Sequence, residues 1–293
     1  MTRRRALQQH RQMLDELGEI MSSMKTLAFM ETRKLGRFLE AQQAVVRSIE
    51  TIAADFLGFH ADTLPASGPG TGVYVLIGSE RGFCGDFNHA LVSKLDAILE
   101  AQPAQQPLLV SVGNRLGALF QDDPRVHSRI EGASIVEEVA TVLNLLVREL
   151  LALQRQHGTL NLYALYHRGA DGIELQTLLP PFQQFLQAAP QHAHPPLLNL
   201  PPRDFLVQLT DHYLLAALNE MMYASLMAEN QQRMAHLEGA TRHLGDESAE
   251  LLRHCNALRQ EEIIEEIEVI LLSAESLQPR RKAQSAATAP APE

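Results

Sequence analysis

Proline is absent from both ends of this chain, and that exclusion constrains the fold more than any other feature. The first 64 residues contain no proline, and neither do the 76 residues from Arg203 to Gln278. All fifteen prolines fall elsewhere, twelve of them between Pro65 and Pro202. Proline inside a helix removes a backbone donor and clashes with the preceding turn, so each segment is free to form one helix. We therefore predict two helices several times longer than the usual ~11–12 residues.

The N-terminal segment carries apolar residues at alternating steps of three and four. Twelve of the fifteen positions reached in this way are apolar. Such a repeat over seven heptads predicts a left-handed coiled coil of residues 1–58 with a partner helix. Gly58 is predicted to end the helix. The fifteen positions are Leu7, His10, Leu14, Leu17, Met21, Met24, Ala28, Glu31, Leu35, Phe38, Gln42, Val45, Ile49, Ile52 and Phe56.

The middle of the chain has the periodicity of a small α/β domain, predicted over residues 72–180 after a linker at 59–71. Short apolar, β-branched runs predict strands. They alternate with helical patterns, which favours a mainly parallel sheet. The predicted strands are 73–77, 108–112, 160–166 and 173–179, and the predicted helices are 89–100, 116–120 and 135–157.

The second proline-free segment predicts a helix over residues 204–278, after a proline-rich connection at 181–203. Asp204 is the expected N-cap. Apolar residues occupy nearly every face between Tyr213 and Leu226, so we expect burial there from several sides. Residues 279–293 are rich in Pro, Ala, Ser and charge, which predicts a disordered tail.

Composition limits the classes of partner. The net charge of −10 weighs against a general nucleic-acid binder, although Arg3–Arg5 and Arg280–Lys282 are basic exceptions. Tryptophan is absent and aromatic residues are only 5%, so a base-stacking surface is not expected. No apolar run approaches the ~20 residues of a membrane span. Charged Asp15, Glu16 and Glu19 stand where a signal peptide would be apolar, and the sequence predicts a cytosolic chain without direct membrane insertion.

No motif in the sequence predicts a catalytic, cofactor or metal site. The turn Gly78–Asn88 lies between a strand and a helix, but its glycines do not form G-x-G-x-x-G and no Gly-Lys-Ser/Thr follows. We interpret it as a tight turn whose glycines permit close packing, with nucleotide binding as the alternative. His192 and His194 have no third ligand nearby, and two cysteines make no disulfide framework. Residues 261–268 are rich in Glu, which indicates a solvated face or a partner contact.

Four patterns in order resemble the gamma subunit of F-type ATP synthases, and they span nearly the whole chain. The family's A-M-x-M-V-A-x-x-K-x-R-K resembles Ser23–Ala28 followed by Arg33-Lys34. Its S-D-R-G-L-C-G-G-F-N resembles Ser79–Asn88. Its S-E-x-x-A-R-M and N-x-x-R-Q-A-x-I-T-Q-E-L-x-E-I resemble Glu229–Met234 and Asn256–Ile267.

The resemblance implies a mixed α+β and α/β fold: a long antiparallel coiled coil of the N- and C-terminal helices plus a small Rossmann-like α/β domain. It implies a non-catalytic central rotor shaft, without a cofactor, at the cytoplasmic face of the bacterial inner membrane. The implied partners are the alpha and beta subunits of the catalytic ring, the epsilon subunit and the ring of c subunits.

The same resemblance implies two groups of contact residues. Arg259 and Gln260 would form a polar catch on a beta-subunit loop, with Lys25 and Met24 beside it. Three isoleucines would form the rotor bearing, namely Ile263, Ile267 and Ile270.

The sequence also departs from the family pattern, and other functions stay open. Ile264-Glu265 replaces the family's Thr-Gln, and Ala240-Thr241-Arg242 replaces its A-T-D. These changes indicate a divergent bacterial branch. The alternatives are a coiled-coil scaffold without a rotary role, favoured by a symmetric homodimer, and a small-molecule enzyme built on the α/β domain.

Overall fold

The computed structural model describes residues 2–64, 68, 70–101, 107–169, 172–186, 192 and 194–277. The predicted tail at 279–293 lies outside them. The chain divides into two compact units, one of Ser22–Gly239 and one of Met1–Met21 with Ala240–Glu293. Two long helices contribute to both units, α1 at Thr2–His60 and α5 at Pro202–Leu277. They fill the two proline-free segments.

The unit Ser22–Gly239 contains a five-stranded sheet in the order β3-β2-β1-β4-β5. Strand β1 is central and pairs in parallel with β2 and β4, β3 adds in parallel to β2, and β5 pairs antiparallel with β4. The strands are β1 Thr71–Ile77, β2 Leu108–Val112, β3 Val126–Ile130, β4 Leu160–His167 and β5 Ile173–Leu179. The shorter helices are α2 Phe87–Glu100, α3 Asn114–Leu119 and α4 Val139–His157.

Apolar cores cover both faces of the sheet, as continuous apolar strands require. One face packs its β1 valines against α1, α4 and α5, in a core that includes Phe56, Leu146 and Tyr213. The other packs against α2 and α3, through Leu91 and Leu116 among others. The predicted Rossmann-like α/β domain with long terminal helices is confirmed.

Helices α1 and α5 run antiparallel within each unit. In Ser22–Gly239, the ring of Phe56 lies 4.9 Å from that of Phe205 and the ring of Phe38 lies 5.8 Å from that of Tyr223. In the other unit, Ser248 Oγ donates to Asp15 Oδ1 at 2.6 Å, and Arg4 Nη1 donates to Glu262 Oε2 at 2.8 Å. As residue numbers rise along α1, those of the facing residues fall along α5.

After Leu35 the predicted heptad seam of α1 is confirmed at Ile49 and Phe56, which pack in the core, and is wrong at the alternate positions. The predicted positions Phe38, Val45 and Ile52 are exposed by 45–46% of their surface. The residues that follow them in sequence face the core instead, as Leu39, Val46 and Ala53 do. A straight helix has 3.6 residues per turn and drifts about 20° per heptad against a 3.5 repeat. The buried stripe therefore moves to the neighbouring position where α1 packs against the α/β domain.

The predicted ends of both long helices need correction. Helix α1 continues past Gly58 to His60, whose ring stacks on that of buried Phe56 at 4.9 Å. Helix α5 begins at Pro202, so Asp204 lies in its first turn and is not the N-cap. Proline suits a first helical position because the N–H that it lacks would have no helical partner there. The carboxylate of Asp204 still suits the positive end of the helix dipole.

Elsewhere the elements follow the predicted order with one strand missed and several ends shifted. Strand β3, Val126–Ile130, was not predicted because its residues are half-exposed and polar in part. The first predicted strand begins two residues earlier, at Thr71. Helix α3 begins at Asn114, and the predicted helix at 135–157 is a 3-10 turn at Val136–Glu138 followed by α4.

Helix α5 is buried on several sides over the stretch that was predicted to be so, although Leu215 within it is 49% exposed. Ala216, Ala217, Met221 and Ala224 are all at most 6% exposed. Small residues let the helix approach the sheet closely, and Ser225 Oγ donates a hydrogen bond to the Ile77 carbonyl at 3.0 Å. This contact places the centre of α5 at the carboxyl end of β1.

Candidate functional site: a buried latch and an exposed helix end

A buried pair of opposite charges on α5 holds the glycine-containing turn after β1. Glu229 and Arg233 lie one helical turn apart, on one face of the helix. Their side chains are only 3% and 8% exposed, and the carboxylate forms a short ion pair with the guanidinium. Removing two charges from water costs several kcal/mol per ion unless further hydrogen bonds satisfy them. The turn supplies those bonds.

Glu229 accepts hydrogen bonds from the turn's backbone. The N–H of Glu80 donates to one carboxylate oxygen at 3.3 Å, and the N–H of Arg81 donates to the other at 3.4 Å. Burial raises the pKa of Glu229 above its ordinary value, and the Arg233 guanidinium together with these N–H donors opposes the shift. The carboxylate therefore depends on its partners for its charge.

Arg233 binds the other end of the turn. Its Nε donates to the Gly82 carbonyl at 3.1 Å, and its Nη2 donates to Cys84 Sγ at 3.3 Å. Its Nη1 donates to Asn230 Oδ1 at 3.0 Å, within α5. We call Glu229, Arg233 and the turn 80–84 the latch, because together they fasten the α/β domain to α5.

Cys84 is an inert member of the latch. Its thiol is 4% exposed, and burial raises its pKa to about 11, with Arg233 opposing the shift. A thiol is nucleophilic only as the thiolate. Cys84 therefore packs and accepts a hydrogen bond without the reactivity of a redox cysteine.

The turn has the geometry of a packed connection. A Cβ at Gly78 would lie 2.5 Å from the Cβ of Leu116, and Gly85 has φ of +60°. Glu80 accepts hydrogen bonds from the N–H groups of Asn114 at 2.9 Å and Gly132 at 2.6 Å. Carboxylates of the chain thus occupy backbone donors that a phosphate would need, so the geometry favours the tight turn over the nucleotide-binding alternative.

The second candidate region is the end of α5, in the unit with Met1–Met21. Seven large apolar side chains there are 45–66% exposed. From Val269 to Leu272 they follow one another without interruption, so they cover every face of the helix. A helix that is apolar all round is normally buried. The seven are Ile263, Ile264, Ile267, Val269, Ile270, Leu271 and Leu272.

Arg259 and Gln260, the predicted polar catch, are both exposed one turn before that apolar end. Arg259 lines a groove of about 410 Å³ between α1 and α5, together with Arg4, Arg11 and Glu266. Its guanidinium is therefore placed at the surface, where a partner's acceptor can reach it.

Met24 and Lys25, predicted to stand beside the catch, belong to the other compact unit, Ser22–Gly239. Both are half-buried on α1, and Ala28 one turn later is buried. The three predicted bearing isoleucines, in contrast, share the exposed helix end with Arg259 and Gln260.

Glu229 and Arg233 received no predicted role from the sequence, although both lie in a motif shared with the family. One signal was available: opposite charges at i and i+4 directly follow a stretch that is apolar on every face. Such a stretch predicts burial, and buried charges need partners.

Among the described residues, no group of three or more His, Cys, Asp or Glu side chains is arranged to hold a metal ion. The Nε2 of His192 instead lies 3.5 Å from a carboxylate oxygen of Asp55. Over the part of the chain that the structure describes, no helix combines the length and the apolar character needed to cross a membrane.

Comparison with known proteins points to one family. A family model described as ATP synthase matches residues 3–277. The ATP synthase gamma chain of Clostridium botulinum strain Langeland is 22% identical over 273 residues, covering 91% of this chain and 96% of that protein. The ATP synthase gamma chain of Syntrophobacter fumaroxidans is 29% identical over 214 residues, covering 69% and 72%.

Solved structures share the fold. A chain of the Euglena gracilis mitochondrial ATP synthase in rotational state 3 has a TM-score of 0.62 at 17% identity, covering 98% of this chain and 99% of that one. A chain from the central stalk of the Tetrahymena thermophila mitochondrial ATP synthase has a TM-score of 0.54 at 16% identity, covering 75% and 99%.

Proposed function

This chain belongs to the ATP synthase gamma-chain family, and on that premise we propose which of its residues carry the work of a rotor shaft. A gamma chain is a non-catalytic subunit: it is the central shaft that couples ion flow through the membrane sector to ATP synthesis or hydrolysis. The coiled-coil scaffold is not favoured, because α1 and α5 pair within one chain and leave no need for a symmetric partner helix.

The observation that carries the proposal is the apolar, exposed end of α5. Its side chains cover all faces, so a partner has to enclose the helix rather than contact one side of it. A closed ring of subunits meets this requirement. We assign the ring to alpha and beta subunits, and the bearing surface to Ile263, Ile267 and Ile270.

Apolar contact suits a bearing for a physical reason. The hydrophobic effect is non-directional and scales with the area removed from water. Burial of isoleucine therefore changes little as the shaft turns. Five glutamates lie among these apolar residues, at positions 261, 262, 265, 266 and 268. Their polar contacts can differ from one ring subunit to the next.

Directional contacts are assigned to the residues before the bearing. Arg259 and Gln260 carry donors at the exposed surface, and we assign them the polar catch on a beta-subunit loop. Lys25 and Met24 are assigned to the same interface from α1. A bond made at only some rotational angles stabilises some states of the ring over others, which is how an asymmetric shaft biases equivalent sites.

The α/β domain is assigned to the opposite partners, the epsilon subunit and the ring of c subunits. The chain would then act as a peripheral component at the cytoplasmic face of the bacterial inner membrane. Torque entering at this domain has to reach α5, and the latch supplies a path: Glu229 and Arg233 bind the turn from β1 at both ends.

Substitution of Arg259 tests the catch. Hydrogen bonds to charged groups contribute roughly 1.5–3 kcal/mol, whereas exposed ion pairs contribute at most about 1 kcal/mol. Each 1.36 kcal/mol corresponds to a decade in rate, so Arg259→Ala in the reconstituted complex should slow ATP turnover about tenfold while the complex still assembles. Arg253→Ala, at an exposed position on the same helix, is the matched control. Unchanged turnover by the assembled Arg259→Ala complex would remove the residue from the catch.

A further inference from the structure

Five charged side chains meet in a cleft of about 430 Å³ between α1, the β4–β5 hairpin and α5. All lie in the unit Ser22–Gly239. Helix α1 contributes Arg47 and Glu50, the hairpin contributes Arg168 and Glu174, and α5 contributes Glu220. Three carboxylates therefore face two guanidinium groups.

Arg168 is the cation that joins the hairpin to α5. Its Nη1 donates to Glu174 Oε2 at 2.8 Å, and its Nη2 lies 4.0 Å from Glu220 Oε1. Tyr166 Oη also donates to Glu174 Oε2, at 3.3 Å. The carboxylate of Glu174 thus accepts two hydrogen bonds from residues of the hairpin. The guanidinium of Arg168 approaches Glu220 only through Nη2.

Glu50 and Glu220 are the two carboxyls of the cleft whose burial is offset least by nearby cations. The side chain of Glu220 is 12% exposed, and Glu50 is half-buried. Burial raises the pKa of Glu50, and Arg168 opposes the shift. Burial also raises the pKa of Glu220. The charges of Glu50 and Glu174 add to that shift, while Arg168 and Arg47 oppose it.

Among the described residues, the other ionisable groups around the cleft are two tyrosines. Burial raises the pKa of both Tyr166 and Tyr213, so both hydroxyls remain neutral near pH 7. Gln176 Nε2 donates to Tyr213 Oη at 3.3 Å, which is a neutral tie between β5 and α5. Burial raises the pKa of the carboxyls of Glu50 and Glu220, so these are the described groups of the cleft whose ionisation is shifted to higher pH.

We propose that Glu50, Glu220 and Arg168 form a pH-sensitive joint between the β4–β5 hairpin and the helices α1 and α5. The joint is closed when one of the two carboxyls keeps its proton, because the three carboxyl groups then carry two charges against two guanidinium groups. It loosens when both ionise, because three carboxylates then face two guanidinium groups in a partly buried cleft.

The direction of the pH effect follows from linkage. A carboxyl whose pKa is higher in the closed state binds its proton more tightly there than in the opened state. The closed state is therefore fully favoured at pH below the ordinary carboxyl pKa. It loses stability as pH rises through the raised pKa of the joint. Opening of the hairpin should become easier toward neutral and alkaline pH.

Hydrogen exchange on the isolated full chain tests the proposal without reference to any rotor function. Between pH 4, just below the ordinary Glu pKa, and pH 8, with intrinsic exchange rates corrected, we expect the protection of the β5 amides at Ile173–Leu179 to fall. The fall should be about tenfold for each unit by which the closed state raises the pKa. Glu220→Gln should abolish this pH dependence. Asp211→Asn removes an exposed carboxylate from the same helix, and it should leave the dependence unchanged.

Direct titration supplies the second measurement. In a chain with ¹³C-labelled glutamate carboxyls, signals assigned by Glu50→Gln and Glu220→Gln should titrate above the ordinary Glu pKa of about 4.3. Because the two substitutions are on different helices, a folding defect in one leaves the other informative. Two results would contradict the proposed joint. One is that both carboxyls titrate at the ordinary Glu pKa. The other is that β5 protection in the unsubstituted chain does not change with pH.

Discussion

Replacing Arg233 by methionine tests the latch, because it removes the guanidinium and leaves the Glu229 carboxylate buried. Three hydrogen bonds are lost with it, to Gly82, Cys84 and Asn230. Breaking a buried ion pair by removing one partner costs about 3–5 kcal/mol. In a domain of this size each kcal/mol lowers Tm by about 2–4 °C, so Arg233→Met should lower Tm by about 6–20 °C.

Tyrosine fluorescence during urea unfolding is the assay that isolates this unit. The chain has no tryptophan, and all five tyrosines lie between Ser22 and Gly239. Arg203→Met, at an exposed position near the start of α5, is the control and should change stability by no more than about 0.5 kcal/mol. A loss below about 1 kcal/mol for Arg233→Met would refute the latch.

A double-mutant cycle separates the ion pair from the loss of individual contacts. Glu229→Gln with Arg233→Met removes both charges, so no uncompensated ion stays buried. The double variant should therefore lose less stability than the two single variants together, by a coupling of about 0.5–3 kcal/mol. In Arg233→Met alone, the pKa of Glu229 should rise further, because burial no longer meets an opposing guanidinium. The free energy of unfolding of the Arg233→Met variant should then fall as pH rises above the ordinary carboxyl pKa.

Two other expectations follow from burial. Cys84, with a pKa of about 11, should react with a thiol reagent at pH 8 only at the rate of global unfolding, and rapid modification of the folded chain would contradict its place in the latch. In the isolated chain, hydrogen exchange should be fast beyond Leu251 and slow in central strand β1, because the end of α5 is exposed there and the proposed ring that would enclose it is missing. Uniform protection along α5 would contradict a ring-dependent shaft.

Much of the architecture was predictable because it follows from strong local signals. The absence of proline indicated the two long helices. The apolar sequences of β1, β2 and β4 indicated strands that are buried on both faces of the sheet. Strand β3 was missed because an edge position lets it carry His127, Ser128 and Arg129, which no burial pattern identifies. Every second position of the α1 seam differs by one residue after Leu35, because the helix packs there against a sheet domain as well as a helix.

The candidate site was predictable only in part. Arg259, Gln260 and the bearing isoleucines were placed by their resemblance to a family motif, and the structure places them at the exposed surface that such contacts require. Their roles depend on partner chains, and no physical property of this chain alone fixes them. The latch joins Glu229 to Glu80, residues 149 positions apart. Only tertiary packing brings such residues together.

Rotation of the chain inside its complex tests the central claim most directly. A bead can be attached at Asp122→Cys, an exposed position in the α/β domain, because both native cysteines are buried. With the alpha and beta subunits fixed to a surface, ATP should turn the bead in one direction through repeated full turns. ATP hydrolysis by the complex while the bead stays at one angle would contradict the rotor shaft.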